Sequence, residues 1–106
     1  MSRQEVLDDP GASYPLLRQF LGGYFHQDWP LDGGRWEDVA DEFVADSTRS
    51  SVAQTADELR SLLAERLSDE ETEAVLEGLG GNVNPAAFHL GARAWLEALQ
   101  ARVSRA

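Results

Sequence analysis

"YPLLRQFLGGYF", residues 14–25, decides the fold, because it combines helical periodicity with a pair of glycines. Its apolar residues recur at intervals of three and four: Leu17, Phe20, Leu21, Tyr24 and Phe25. This spacing is typical of one face of an amphipathic helix. Proline is tolerated at the first helical position, so we predict that the helix opens at Tyr14-Pro15. Gly22-Gly23 costs about 2 kcal/mol relative to two alanines. The pair therefore predicts that another backbone comes close, or that the helix bends or ends there.

Two further helices follow this stretch. "WEDVADEFVADS", residues 36–47, places apolar residues at helical spacing on one side and acidic residues on the other. A leucine-rich segment then runs from about Ser51 to Leu67 with the same periodicity. Both segments are predicted to bury their apolar faces in a common core.

The last part of the chain predicts two more helices. Ser68 with Glu71 forms a capping-box pattern at the start of the fourth helix, which Gly80-Gly81 terminates. Asn84-Pro85 has the pattern of an N-cap and first position for the fifth. No segment of useful length alternates with period two, as a half-buried strand would. We therefore predict an all-α fold, a compact bundle of about five short helices.

The length of 106 residues predicts a single domain. Residues 1–13 show little periodicity and contain Pro10 and Gly11, so we predict a flexible N-terminal tail there and one helical domain over residues 14–106. The polar start lacks the apolar core of a secretory signal. No apolar run approaches the roughly 20 residues that span a bilayer. A cytoplasmic protein without a membrane partner is expected.

The acidic charge of the chain is concentrated in one region. Nineteen acids face nine arginines, which gives a net charge of −10. Residues 28–77 hold 15 of the acids and four of the arginines, a net of −11, and the remainder carries +1. Such a field repels nucleic acid and anionic lipid and favours a basic partner. The alternative is a solvated acidic surface that only aids solubility.

Four carboxylates of the second helix are the main candidates for partner binding. Asp38, Asp41 and Glu42 lie at helical spacing, and Asp46 extends the row. Like charges at this spacing repel by a few tenths of a kcal/mol per pair, so the row works against its own helix. A basic partner would relieve the repulsion and associate faster. A solvated helix face remains the alternative for each of these residues.

Catalytic and metal sites find little support in the sequence. The absence of cysteine excludes disulfides and thiolate ligands. A metal-dependent enzyme would need His26, Asp28 and His89 to converge. The two histidines are far apart, however, and His26 and Asp28 have a spacing that points in different directions on a helix. No serine has a base proposed by a motif. We predict no catalytic residue, no metal site and no cofactor, and therefore no enzyme.

Four segments together resemble the CdiI immunity protein family of contact-dependent growth inhibition. They are "YPLLRQFLGGYFHQDW" (14–29), "WEDVADEFVADS" (36–47), "ADELRSLLAERLSDEE" (56–71) and "ARAWLEAL" (92–99). The resemblance extends from about Tyr14 to Val103, and Leu17 to Asp28 is its most specific part. It implies a small bacterial protein that binds a cognate toxin C-terminal domain and blocks it, often by covering the active site. Many such toxins are nucleases with basic clefts, which an acidic face would suit.

The resemblance leaves two questions open. Gly22, Gly23, Tyr24 and Phe25 are interpreted as a structural fingerprint, with His26, Gln27 and Asp28 as the alternative, an exposed contact patch at the helix end. His26 and Asp28 therefore join the candidate partner-binding residues.

The other open question is whether a toxin partner exists. The alternative is an orphan helical interaction or regulatory module. It would be marked by an exposed apolar patch of Trp29, Leu31 and Trp36. We expect a monomer, with a weak homodimer as the second option.

Overall fold

The computed structural model of the chain describes residues 3–25, 35–81, 83, 85 and 90–105. These residues form seven helices and no strand. The helices are α1 (Arg3–Asp8), α2 (Pro10–Ser13), α3 (Pro15–Tyr24), α4 (Trp36–Asp46), α5 (Arg49–Ala64), α6 (Asp69–Gly78) and α7 (Ala92–Ser104). The radius of gyration is 12.6 Å, close to the value of about 13 Å for a folded domain of this length. The all-α prediction and the compact bundle are confirmed.

Helices α3 to α6 follow the sequence patterns closely. Pro15 occupies the first turn of α3, and the helix ends at Tyr24. Both bonds of the predicted capping box are present at the start of α6. The Ser68 hydroxyl accepts from the Glu71 amide at 3.1 Å, and the Glu71 carboxylate accepts from the Ser68 amide at 3.0 Å. The turn after α6 contains Gly80, which has a φ of 84°. Local sequence signals therefore predict the proline start of α3 and both ends of α6.

The sequence predicts that the last helix begins at Asn84-Pro85, and Asn84 and residues 86–89 lie outside the described residues. The described helix α7 begins at Ala92, with Gly91 as its N-cap. The Asp69 carboxylate of α6 accepts from the Arg93 amide at 3.1 Å and serves as the side-chain cap that Gly91 lacks. A Cβ at position 91 would lie 2.6 Å from Asp69 Oδ2, so only glycine leaves room for this carboxylate. The first turn of α7 is therefore capped by a side chain of another helix.

The N-terminal segment, which the sequence predicts to be a flexible tail, is helical from residue 3 to 13 apart from Asp9. Val6 is completely buried, and Pro10 is buried against α6, where its Cγ would lie 2.7 Å from a Cβ at Gly78. Asp9 caps α2 by accepting from the Ala12 amide at 3.2 Å. Burial against α6 accounts for this structure, since so short a helix is not stable alone.

The core is centred on α7, which packs against α4, α5 and α6, while α3 packs against α4 and α5. An aromatic cluster joins α3, α4 and α7. The Phe20 and Phe43 rings stack at 4.0 Å between centroids, and the Tyr24 ring meets Phe43 edge-on at 5.5 Å. Trp95 of α7 contacts Phe25 and Trp36 at 5.5 and 5.8 Å. Phe20 and Tyr24 therefore pack α3 against α4, and Phe25 packs against α7.

A carboxylate from α5 caps the start of α3. The N-terminal amides of a helix lack partners within the helix, and Tyr14 at the N-cap provides no side-chain bond. Glu58 of α5 supplies the acceptor instead. Its Oε1 accepts from the Leu16 amide at 3.1 Å and from the Leu17 amide at 3.0 Å. Glu58, one of the acidic residues, therefore connects two helices and does not serve only as surface charge.

The two glycines of α3 differ in their surroundings. Gly22 faces the turn after α6, where a Cβ on Gly80 would lie 3.3 Å from the Gly22 Cα. This is the close backbone approach that the glycine pair predicts. Gly23 is exposed, and a Cβ there would have no described atom within 4 Å. Gly22 therefore has a packing role that Gly23 lacks.

Candidate partner-binding surface

The predicted carboxylates lie on the outer side of α4. The inner side of this helix buries Trp36, Ala40 and Phe43. Because a helix turns by 100° per residue, the positions between these face away from the core. The acidic row is defined as the four carboxylates that the structure leaves exposed there: Asp38, Asp41, Glu42 and Asp46. The structure thus brings four of the six predicted binding residues together on one helix.

Asp41 is paired with an arginine of the last helix. Arg102 Nε donates to Asp41 Oδ1 at 2.8 Å, and Arg102 Nη2 donates to Oδ2 at 2.8 Å. This two-pronged bond, together with the charge of Arg102, lowers the pKa of the Asp41 carboxyl. Reciprocally, it raises the pKa of Arg102. Asp41 therefore links α4 to α7, and its charge is compensated within the chain.

Asp46, at the end of the row, is also engaged. The Tyr24 hydroxyl donates to Asp46 Oδ2 at 3.1 Å, which ties the end of α3 to the end of α4. Partial burial raises the pKa of the Tyr24 hydroxyl, and the bond to Asp46 raises it further. The hydroxyl therefore remains a proton donor at neutral pH.

Asp38 and Glu42 are the free members of the acidic row. Both are exposed, and within the described part of the chain neither has an ion pair or a side-chain hydrogen bond. They are separated by four residues, so their charges lie side by side on the helix surface. These two carboxylates remain available to a basic partner.

The sequence patterns did not indicate the arginines that accompany α4. Arg35 precedes the helix and pairs with Glu37 at 2.6 Å. Partial burial raises the pKa of the Glu37 carboxyl. The hydrogen bond from its own backbone amide and the charge of Arg35 outweigh this effect, so the pKa is lowered. Arg102 is 61 residues from Asp41 in sequence, and no local spacing predicts such a pair. Only the packing of α7 on α4 brings the two together.

The remaining predicted residues lie outside the described part of the chain. His26 and Asp28 follow Phe25, the buried C-cap residue of α3. His89, the other histidine of the metal hypothesis, also lies outside. Among the residues that are described, no three acids cluster so that they could hold a metal ion. No helix within the described ranges is long and apolar enough to cross a membrane.

The apolar patch that would mark an orphan interaction module loses one member. Trp36 is only 9% exposed, because it packs against Trp95 beneath α4. It therefore belongs to the core and not to an exposed surface. Trp29 and Leu31 lie outside the described residues.

Comparison with known proteins gives two matches. A family model described as CdiI immunity protein matches residues 13–103. The chain is also similar to a chain in the crystal structure of the CdiA-CT/CdiI complex from Y. kristensenii 33638. The TM-score is 0.78 at 25% sequence identity, and the match covers 86% of this chain and 98% of the other. Comparison with curated protein sequences finds no match.

Proposed function

The chain belongs to the CdiI immunity protein family, whose members neutralise toxins, and we propose that it binds a cognate toxin C-terminal domain and covers its active site with the acidic row. The acidic row carries this proposal. Within the described part of the chain, Asp38 and Glu42 present two charges without an ion pair, on a helix that the aromatic cluster and Arg102 hold in place. A partner that meets a prearranged surface loses less conformational entropy on binding.

The structural similarity supports the same function, since the similar chain belongs to a CdiA-CT/CdiI complex. The chemistry of the row favours a toxin with a basic cleft, such as a nuclease. Its cleft binds a polyanion, and exposed carboxylates can occupy the same positive potential. The immunity protein then acts by obstruction and needs no catalytic residue or cofactor. We place this activity in the cytoplasm of the cell that makes the protein.

The decisive test uses the cognate toxin C-terminal domain, which we would seek first in the open reading frame immediately upstream. Coexpression of the chain should restore growth to cells that produce this domain. In stopped-flow measurements, the double variant Asp38→Asn with Glu42→Gln should associate about tenfold more slowly at low salt, and the difference should shrink at high salt.

A matched control removes two charges from another exposed surface. Glu70 and Glu73 lie exposed on α6, away from the acidic row, and the variant Glu70→Gln with Glu73→Gln changes the net charge by the same amount. It should associate almost as fast as the unmodified chain. Equal rates for the two double variants would remove the acidic row from the interface. A toxin that remains active in the presence of excess chain would refute the function itself.

A further inference from the structure

A groove with an apolar floor lies beside the acidic row. It is formed where the C-terminal ends of α4 and α7 meet the N-terminal half of α5, and its volume is about 420 Å³. Val52, Ala56 and Val103 form its floor and belong to the buried core. Half-buried Val44 and exposed Ala53 form its sides. At this end of the bundle, the groove therefore reaches from the surface to side chains of the core.

The charged residues that line this groove are two arginines and one aspartate, although the chain as a whole is acidic. Arg49 and Arg60 line the groove from α5. Arg60 pairs at 2.9 Å with Asp57, which also lines the groove, whereas Arg49 has no acidic partner among the residues that the structure describes. Arg102 and Arg105 line a neighbouring hollow, which shares Val44 with the groove. Four of the nine arginines thus gather at this end of the molecule.

The groove is continuous with the acidic row. Val44 lies on α4 between Asp41 and Asp46, and it lines both the groove and the hollow that contains Asp41. An interface of standard size involves roughly 20–30 residues on each partner. Four carboxylates supply only a small part of this number, so the contact must extend to adjoining surfaces. The groove is an adjoining surface with apolar area to bury.

We infer that the groove receives a segment of the toxin in which an apolar side chain stands next to an aspartate or glutamate, an inference that rests on the proposed function. The apolar side chain replaces water above Val52 and Val103, and the carboxylate pairs with the Arg49 guanidinium. The toxin thus presents basic groups to the acidic row and this acidic segment to the groove. The alternation of charge fixes the orientation in which the two proteins meet.

The net charge of the chain makes a second copy a less favourable occupant of this groove than the toxin. Each copy carries a net charge of −10, so the approach of two copies is opposed by their mutual repulsion. A basic toxin is attracted to the same body as a whole and needs only a local acidic segment at the groove. Charge complementarity therefore favours the toxin as the occupant.

Two variants test the groove with the cognate toxin domain, each beside a matched control. Ala53→Trp fills the groove from an exposed position of α5. Ala74→Trp, its control, makes the same change at an exposed position of α6. Arg49→Glu reverses the free rim charge at the first position of α5, where an acid favours the helix. Arg18→Glu makes the same change at an exposed position of α3.

The expected results separate the groove from general effects of size and charge. Ala53→Trp should raise the dissociation constant at least about thirtyfold, as the loss of a central anchor does. Arg49→Glu should slow association about tenfold at low salt. Both controls should stay within about threefold of the unmodified chain. Circular dichroism verifies folding, and if Ala53→Trp does not fold, Arg49→Glu decides.

The chemistry of the occupant has its own test. A photo-crosslinking benzoylphenylalanine in place of Ala53 should label a toxin peptide that contains an apolar residue beside an acid. A labelled peptide without an acid would overturn the inference, as would groove variants that bind like their controls while the unmodified chain binds the toxin. A dimer that Ala53→Trp dissociates would assign the groove to a second copy instead. If the unmodified chain does not bind the toxin, the proposed function fails and this inference fails with it.

Discussion

Replacement of Glu58 should reveal how far this fold depends on a carboxylate that connects two helices. Its Oε1 accepts from the amides of Leu16 and Leu17 at 3.1 and 3.0 Å, and these are the first amides of α3 that have no helical partner. Glu58→Ala leaves both donors without an acceptor in a partly buried place. The variant therefore removes the cap and separates α3 from α5 at the same point.

The magnitude follows from the two bonds. Loss of a helix cap costs about 1 kcal/mol, and hydrogen bonds to a charged group contribute roughly 1.5–3 kcal/mol. Because water can reach part of this site, we expect Glu58→Ala to lower the free energy of unfolding by about 2 kcal/mol. For a domain of this size, that corresponds to a fall in Tm of roughly 10 °C. Glu58→Gln keeps an acceptor oxygen without the charge and should lose about half as much.

Urea denaturation followed by circular dichroism measures the effect, with an unchanged dependence on urea as evidence that the unfolding transition is the same. Glu73→Ala is the matched control, since Glu73 is exposed on α6. It should change the free energy of unfolding by less than about 0.5 kcal/mol. If Glu58→Ala were as stable as this control, the capping role that the structure assigns to Glu58 would be refuted.

Three further substitutions test other features of the fold. Gly23→Ala should stabilise the chain by about 0.5 kcal/mol, because a Cβ there has no described atom within 4 Å, and a lower Tm would contradict this. Gly80→Ala should destabilise it by about 1–2 kcal/mol in the same thermal assay, since φ is 84° and the Cβ would crowd Gly22; unchanged stability would show that the turn relaxes. Arg102→Gln should lower stability at pH 7 but not in acid. Arg102 depresses the pKa of Asp41, so its contribution is present above the ordinary pKa of the carboxyl and is lost as the pH falls below about 4. A stability difference that persists in urea titrations at pH 2 would contradict that assignment.

The sequence predicts the parts of this fold that rest on local signals. The capping box at Ser68, the proline at the start of α3 and the glycine turn after α6 all appear where their patterns indicate. Each depends only on residues within a few positions of one another, so periodicity and cap chemistry suffice.

The features that the sequence does not predict depend on distant residues. The helix α1 is stabilised by burying Val6, and α7 starts where Asp69 of another helix can cap it. At the acidic row, spacing correctly predicts which carboxylates share the outer side of α4. It does not distinguish Asp41, which is paired with Arg102, from Asp38, which is free. That distinction requires the relative placement of α4 and α7.

The bond between Asp41 and Arg102 also bears on how the partner specificity of such a protein can diverge. A change at position 41 leaves an arginine on α7 without its acceptor, so it is tolerated best when position 102 changes as well. Asp38 and Glu42 have no ion pair within the described part of the chain, so each can change without a second substitution. Among related chains, we therefore expect positions 41 and 102 to covary, whereas adaptation to a new toxin is recorded first at positions 38 and 42.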